Sequence, residues 1–121
     1  MTKRVLVVED HEDNRQILRD LLENAGYDMI EAKDGEEALM AAASQRPDLI
    51  LMDIQLPILD GYEATRRLKA DLTLKTIPVI AVTSYALSDD EKKAYAAGCD
   101  AYVAKPYDPL VLLETIRHYL G

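Results

Sequence analysis

Cysteine is nearly absent from this chain of 121 residues, and Cys99 has no second cysteine with which to form a disulfide. A single cysteine also lacks the paired spacing of structural zinc sites. Apolar runs are short as well. None approaches the roughly 18 residues of a membrane-spanning helix, and the four that follow Arg4 are too few for a signal peptide. These absences predict a soluble, cytoplasmic protein with no membrane contact.

Positive charge is also scarce, since 14 Lys and Arg residues stand against 22 Asp and Glu residues and the net charge is −8. Proteins that bind nucleic acid usually present a basic face, so no nucleic-acid partner is expected. The acidity has two interpretations. Either it serves solubility alone, or it reflects carboxylates gathered where a divalent cation binds.

The five glycines are dispersed along the chain. A dinucleotide-binding enzyme needs a glycine-rich turn directly after the first strand, and this chain has Glu9-Asp10-His11 at that point. The sequence therefore argues against an enzyme of that class.

The residues that are present favour one domain covering residues 1–121, because the chain is too short for a second domain and 49% of it is hydrophobic. Its beginning at Met1 and its end after the last helix favour a whole protein. Strands are predicted at 2–8, 27–32, 48–53, 77–82 and 101–104, with helices at 13–25, 36–45, 62–70, from the N-cap Ser88, and from Pro109 after the N-cap Asp108. This alternation predicts an α/β fold, with an open, doubly wound sheet of five parallel strands.

The first predicted helix carries apolar residues at helical spacing, and all of them are expected on one buried face: Ile17, Leu18, Leu21, Leu22 and Ala25. Gly26 is expected to end this helix. Either Asp10 or Asp13 is a candidate to cap its start.

The third predicted strand, Asp48-Leu49-Ile50-Leu51-Met52-Asp53, has four apolar residues between two carboxylates. A continuous apolar run of this length is typical of a strand that is buried on both faces of a parallel sheet. Chemistry in such sheets collects at the carboxyl ends of the strands. Asp53 is therefore predicted to be the reacting residue.

Polar residues end the other predicted strands too: Glu9-Asp10, Thr83 and Lys105. The carboxyl ends of parallel strands share one edge, so these side chains are expected to meet Asp53. Carboxylate oxygens suit Mg²⁺, and a carboxylate beside Mg²⁺ is a competent nucleophile toward phosphorus. Taken singly, each residue has a plainer explanation. Glu9-Asp10 would favour a helix start, Thr83 would bond a backbone group, and Lys105 would be a surface lysine.

The chain resembles the response-regulator receiver family of two-component signalling over essentially its full length. The motifs that carry the resemblance, in this order and spacing, are Val7-Val8-Glu9-Asp10, Leu51-Met52-Asp53, Leu56-Pro57, Asp60-Gly61, Ala81-Val82-Thr83 and Lys105-Pro106. The resemblance implies a flavodoxin-like (βα)5 fold with strand order 2-1-3-4-5. Within the family, the chain is similar to single-domain cell-cycle regulators of the DivK type through Val8-Glu9-Asp10, Asp13-Asn14 and the segment 52–57.

In that family the residue matching Asp53 accepts a phosphoryl group from a histidine kinase or a histidine phosphotransfer protein. The resemblance implies that Glu9, Asp10 and Asp53 bind Mg²⁺ together with the backbone carbonyl of Gln55. Many members have two aspartates where this chain has Glu9-Asp10, and the variant is compatible with metal binding. The protein would catalyse only its own phosphorylation and dephosphorylation.

The resemblance also implies a switch. Thr83 matches the hydroxyl that moves toward the phosphate, Tyr102 the aromatic residue that turns inward, and Lys105 the phosphate contact, with a cis bond to Pro106. The surface of the fourth helix, fifth strand and fifth helix would then bind a downstream protein. The bulk of Tyr85 is expected to hinder the hydrolytic water. A monomer or weak dimer is expected.

Several alternatives stay open at this point. The chain could be a phosphorelay intermediate, a degenerate receiver that acts as an adaptor without phosphate, or a receiver belonging to a larger kinase. Without the resemblance, Tyr102 would be a half-buried core aromatic. A phosphatase with an aspartyl nucleophile needs a second acid two residues later, where this chain has Gln55. A flavin carrier of similar fold has no use for Lys105 beside three acids.

Overall fold

A computed structural model of the chain describes residues 2–83 and 88–121. The strands are β1 (Arg4–Val8), β2 (Asp28–Ala32), β3 (Leu49–Asp53), β4 (Val79–Thr83) and β5 (Ala101–Ala104). The helices are α1 (Glu12–Asn24), α2 (Gly35–Gln45), α3 (Gly61–Ala70), α4 (Ser88–Ala97) and α5 (Pro109–Leu120). The predicted bounds agree with these to within two residues wherever both ends were predicted.

The five strands form one parallel sheet in the order β2-β1-β3-β4-β5. The predicted α/β, doubly wound fold is confirmed. Two core clusters fill the space between the sheet and its helices. Side chains from α2, α3 and α4 pack in one cluster, and side chains from α1 and α5 pack in the other. The central strand β3 is buried along its whole length, because helices cover both of its faces.

Alternation along β3 divides its side chains between the two clusters. Ile50 and Met52 pack toward α2, α3 and α4, whereas Leu49 and Leu51 pack toward α1 and α5. Asp53 is the next residue in this series and ends the strand. Its carboxylate thus lies at the carboxyl end of the strand, beside the loops that follow the strands.

Aspartate side chains cap several of the helices. Asp34, Asp60 and Asp108 accept hydrogen bonds from backbone amides in the first turns of α2, α3 and α5. Pro109 begins α5, where its missing N–H is not needed. Gly26 follows α1 at a φ of +88°, the left-handed conformation that glycine adopts most readily after a helix. The predictions for Asp108 and Gly26 are confirmed.

Two predictions about α1 are wrong. Its N-cap residue is His11, which makes no side-chain capping bond, so neither Asp10 nor Asp13 caps the helix. Ile17 is 57% exposed. The buried stripe of α1 consists instead of Arg15, Leu18 and Leu22, at i, i+3 and i+7. Ile17 lies outside this stripe because, at about 3.6 residues per turn, its side chain projects from a different side of the helix than those of Arg15, Leu18 and Leu22.

Two predictions fall on parts of the chain that the structure does not describe. Tyr85 and the capping side chain of Ser88 lie outside the described residues. Among the helices of the described segments, none combines the length and the apolar character that a membrane crossing requires.

Candidate active site

Three acidic side chains meet at the carboxyl edge of the sheet. Glu9 and Asp10 follow β1, Asp53 ends β3, and each offers a carboxylate oxygen within 4.8 Å of the others. The register of the neighbouring strands accounts for this meeting, because Val8 pairs with Met52 and the next residues on both strands are acidic. Glu9 and Asp53 are buried, with 3% and 7% exposure, whereas Asp10 is half-buried.

Lys105 reaches the same place from the end of β5. Its Nζ lies 3.2 Å from Oε1 of Glu9 and 3.5 Å from Oδ2 of Asp53. Its backbone N–H donates to the carbonyl oxygen of Thr83 at 2.7 Å, which joins the ends of β4 and β5. The predicted cis bond between Lys105 and Pro106 is confirmed.

The chain after Asp53 turns tightly around this carboxylate. The backbone N–H of Gln55 donates to Oδ1 of Asp53 at 3.0 Å, and the N–H of Gly61 donates to the carbonyl oxygen of Ile54 at 3.0 Å. A Cβ atom on Gly61 would lie 2.4 Å from the carbonyl oxygen of Asp53. Only glycine therefore lets the start of α3 approach the phosphoacceptor candidate this closely.

Burial is the largest influence on the pKa of Asp53, and together with the neighbouring Glu9 it raises that pKa to about 6, against the opposing effects of Gln55 and Lys105. Burial also acts to raise the pKa of Glu9. Its hydrogen bonds with Asp53, Asp10 and Asn14 and the charge of Lys105 outweigh burial and lower that pKa to about 2. Ionising two adjacent buried carboxyls is costly. Asp53 is the member of the pair that keeps a proton longer.

The carboxylate cluster fits the demands of Mg²⁺. Its donors are hard oxygen atoms from three carboxylates, and half-buried Asp10 leaves the cluster open toward solvent. Mg²⁺ keeps several of its waters and binds through one or two carboxylates. Lys105 adds the cation that an incoming phosphoryl group would require.

The two predicted switch residues lie on neighbouring strands. Thr83 ends β4 and is fully buried, whereas Tyr102 in β5 is half-buried and packs against the cluster beneath α2, α3 and α4. Ala81 pairs with Tyr102 and Thr83 with Ala104. Because side chains alternate along a strand, Thr83 points to the same face of the sheet as Ala81 and Tyr102.

Sequence reasoning missed two contacts of Glu9. The side-chain amide of Asn14 donates to Oε1 of Glu9 at 2.7 Å, and Nη1 of Arg15 donates to its backbone carbonyl oxygen at 2.8 Å. Arg15 could have been found, because its spacing of three and seven residues from Leu18 and Leu22 puts a cation on the core face of α1. The sequence holds no comparable signal for Asn14.

A cavity of about 590 Å³ opens beside the carboxylates. Apolar side chains of β1, β3, β4, α1 and residues 106–109 form most of its wall, including Leu18, Leu51, Val82 and Pro109. Glu9, Asn14, Asp53 and Lys105 form its polar part. Asp53 can therefore be reached from outside although the residue itself is buried.

Comparisons with known proteins agree with this geometry. The family model for the response regulator receiver domain matches residues 5–117. The polar-differentiation response regulators DivK of Brucella ovis and Brucella anthropi are each 50% identical over 121 residues, which is 100% of this chain and 98% of theirs.

Solved structures of receiver domains superpose closely on this chain. The receiver domain of a sensor histidine kinase from Pseudomonas aeruginosa, solved with a magnesium ion coordinated in its active-site cleft, has a TM-score of 0.93 and 36% identity, covering 100% of this chain and 99% of that one. The chemotaxis protein CheY4 of Vibrio cholerae has a TM-score of 0.91 and 29% identity, covering 98% and 99%.

The chain belongs to the response regulator receiver domain family. It is a DivK-like receiver of two-component signalling, a signalling protein and not a classical enzyme.

Proposed function

We propose that the sequence as a whole, residues 1–121, is one receiver domain whose Asp53 accepts a phosphoryl group in a Mg²⁺-dependent reaction. The observation that carries the proposal is the meeting of Asp53 with Glu9, Asp10 and Lys105 at the carboxyl edge of the sheet. A buried carboxylate beside further acids and a lysine is costly for the fold. A role in phosphoryl chemistry accounts for that cost.

The phosphodonor is a histidine kinase or a histidine phosphotransfer protein. An Oδ atom of Asp53 attacks the phosphorus of the phosphohistidine, so that an O–P bond forms as the N–P bond breaks. The electron pair of the broken bond stays on the imidazole nitrogen. Lys105 contacts the phosphoryl oxygens, and its position 3.5 Å from Asp53 Oδ2 supports that role.

Glu9, Asp10, Asp53 and the backbone carbonyl of Gln55 would hold the metal. A bound magnesium ion supplies positive charge that neutralises the phosphoryl oxygens. Asn14 holds the carboxylate of Glu9 in place from α1. The chain thus catalyses its own phosphorylation and dephosphorylation.

Phosphorylation then shifts an equilibrium between two arrangements of Thr83 and Tyr102. The side chains of Thr83 and Tyr102 lie on the same face of the sheet, which supports this coupling. If Thr83 moves, Tyr102 can turn into the space that Thr83 leaves. The surface of α4, β5 and α5 carries the change to a downstream protein. A cytoplasmic location, and a monomer or weak dimer, stay predictions.

Intact-mass measurement tests the phosphoacceptor proposal. The wild-type protein is incubated with acetyl phosphate in the presence and absence of Mg²⁺, beside Asp53→Asn. A matched control is Asp48→Asn, which changes the acid just before the amino end of β3, where Asp48 accepts a hydrogen bond from Arg4. One phosphoryl adduct should form in wild type and Asp48→Asn, only with Mg²⁺, and none in Asp53→Asn.

The alternatives make different predictions. A degenerate receiver would show no adduct and no beryllofluoride binding, which would leave a phosphate-independent adaptor. A phosphorelay intermediate would form the adduct and then pass it rapidly to a second histidine protein. An adduct that persists in Asp53→Asn would contradict the assignment of the phosphoacceptor.

A further inference from the structure

Arg15 is a buried cation whose contacts tie three elements together. Only 5% of the residue is exposed. From α1, its Nη1 donates to the carbonyl oxygen of Glu9 at 2.8 Å, at the end of β1. Its Nε donates to Oε1 of Glu31 in β2 at 3.1 Å, and its Nη2 pairs with Glu12. A buried charge is retained only when it is well paired, and Arg15 meets that condition.

These contacts hold the main chain of Glu9 from two sides. Its N–H donates to the carbonyl oxygen of Ala32 at 3.0 Å, and its carbonyl oxygen accepts from Arg15. The orientation of the peptide unit between Glu9 and Asp10 determines the direction in which the chain continues to Asp10 after β1. The contact therefore lies on the peptide unit that joins Glu9 to Asp10, two of the three acidic residues of the candidate metal site.

We infer that Arg15 is a positioning residue, which fixes the peptide between Glu9 and Asp10 and so sets the geometry of the metal site. The inference rests on the proposed function, since it concerns the same site. Among the described hydrogen bonds and ion pairs, none joins Arg15 to a proposed ligand atom, and it acts through the backbone of Glu9.

Charge and position predict opposite effects when Arg15 is removed. Loss of a nearby positive charge should strengthen the binding of any cation. Loss of positioning should weaken it, and should weaken Mg²⁺ more than Ca²⁺, because Mg²⁺ demands nearly ideal octahedral geometry and Ca²⁺ tolerates irregular geometry. A purely structural role would not change the preference for one ion over the other.

Arg19 provides a matched control on the same helix. It pairs with Glu12 and Glu31, as Arg15 does, and no bond from it to Glu9 is found among the described contacts. Replacing Arg19 therefore removes a similar charge and disturbs the same two acids, while leaving the Arg15–Glu9 contact in place.

Calorimetric titration of the metal-free protein with MgCl2 and with CaCl2 tests the inference. Arg15→Met should weaken Mg²⁺ binding about 10-fold, a typical loss when a group that supports metal ligands is removed, and should weaken Ca²⁺ binding less. Arg19→Met should bind Mg²⁺ as tightly as wild type, or more tightly. Arg15→Lys keeps the charge but replaces the planar fork of separate Nε, Nη1 and Nη2 donors with a single ammonium group. It should not reproduce the contact with the carbonyl oxygen of Glu9 together with the contacts to Glu12 and Glu31, so its Mg²⁺ affinity should also fall.

Unchanged Mg²⁺ affinity in both Arg15 variants would overturn the inference, and so would parallel losses for Mg²⁺ and Ca²⁺. If Arg15→Met does not fold, as judged by circular dichroism, Arg15→Lys decides by the same criteria. A wild-type protein that binds no Mg²⁺ would overturn the proposed metal site and this inference together. Wild-type binding with unaltered Arg15 variants would overturn the inference alone.

Discussion

The side-chain nitrogen of Lys105 lies 3.5 Å from Oδ2 of Asp53, although 52 residues separate the two in sequence. Each charge favours the ionised form of the other. Lys105 acts to lower the pKa of Asp53, whereas burial alone would lower the pKa of Lys105 and the two nearby carboxylates raise it instead. This pairing keeps a cation beside the atom that is proposed to be phosphorylated.

Removing the cation should slow phosphorylation without abolishing the site. Lys105→Met is expected to reduce the rate of adduct formation from acetyl phosphate about 10²-fold, because charge that develops on the phosphoryl oxygens loses a preorganised partner. Intact-mass time courses give the rate. Lys3→Met, which removes an exposed lysine just before β1 at the opposite edge of the sheet, should leave it unchanged. Equal rates in wild type and Lys105→Met would contradict the role of Lys105.

The pKa of Asp53 predicts how this residue affects the metal-free fold. Because the pKa rises on folding from 3.8 to about 6, the stability that this carboxyl contributes is present below its ordinary pKa and is lost as the pH rises through about 6. Asp53→Asn should therefore raise the melting temperature in EDTA by several degrees at about pH 7.5, and much less at about pH 4.5. Differential scanning calorimetry measures both.

Replacing Glu9 should change the melting temperature in the opposite direction, so Glu9→Gln serves as the control. Its pKa falls on folding from 4.5 to about 2, so its contribution is present above its ordinary pKa and is lost as the pH falls through about 2. Glu9→Gln should accordingly lower the melting temperature at about pH 5, where Glu9 is ionised and Asp53 still carries the proton that it donates to Glu9. If Asp53→Asn and Glu9→Gln moved the melting temperature in the same direction, Glu9 would not be the more acidic and Asp53 the less acidic of the two carboxyls.

Gly61 is expected to be essential for the position of Asp53. In Gly61→Ala the new Cβ would meet the backbone of Asp53 and Ile54, and relief requires a backbone shift at the proposed phosphoacceptor. We expect a loss of about 1–3 kcal/mol in the free energy of unfolding together with slower phosphorylation. Urea denaturation and adduct formation measure the two effects.

Gly26→Ala separates the two effects. Gly26 has open space around its Cβ position but a φ of +88°, so alanine there should cost about 1–2 kcal/mol and leave phosphorylation unchanged. A Gly61→Ala protein that is phosphorylated at the wild-type rate would show that the turn tolerates displacement.

Thr83 should transmit the switch without being needed for phosphate acceptance. Beryllofluoride, a mimic of the phosphoryl group, should shift NMR signals of α4, β5, α5 and the segment between β5 and α5 in wild type, including Tyr95, Tyr102 and Tyr107. In Thr83→Ala those shifts should shrink while the signals of residues next to Asp53 still respond. Thr73→Ala, at a site between α3 and β4, should behave as wild type. Shifts confined to the Asp53 pocket in wild type would contradict the proposed switch.

Prediction from sequence succeeded where the signal was local. The strand β5 was predicted at its observed bounds, because Gly98 and the pair Lys105-Pro106 interrupt the pattern on either side. Asp108 and Pro109 marked the start of α5 for an equally local reason. The same reasoning failed for Ile17. The five apolar residues of α1 cover a wide part of the helix surface, and their spacing does not show which part packs against the sheet.

Sequence alone thus determined the order of strands and helices and put acids, a hydroxyl and a lysine at the strand ends, because periodicity and capping depend on neighbouring residues. Only the tertiary structure decided which groups meet. Glu9 gained Asn14, Arg15 and Lys105 as partners, while burial and the contact between Glu9 and Asp53 moved the pKa values of these two carboxyls apart. Burial and charge pairing arise between distant parts of the chain, so no local pattern encodes them.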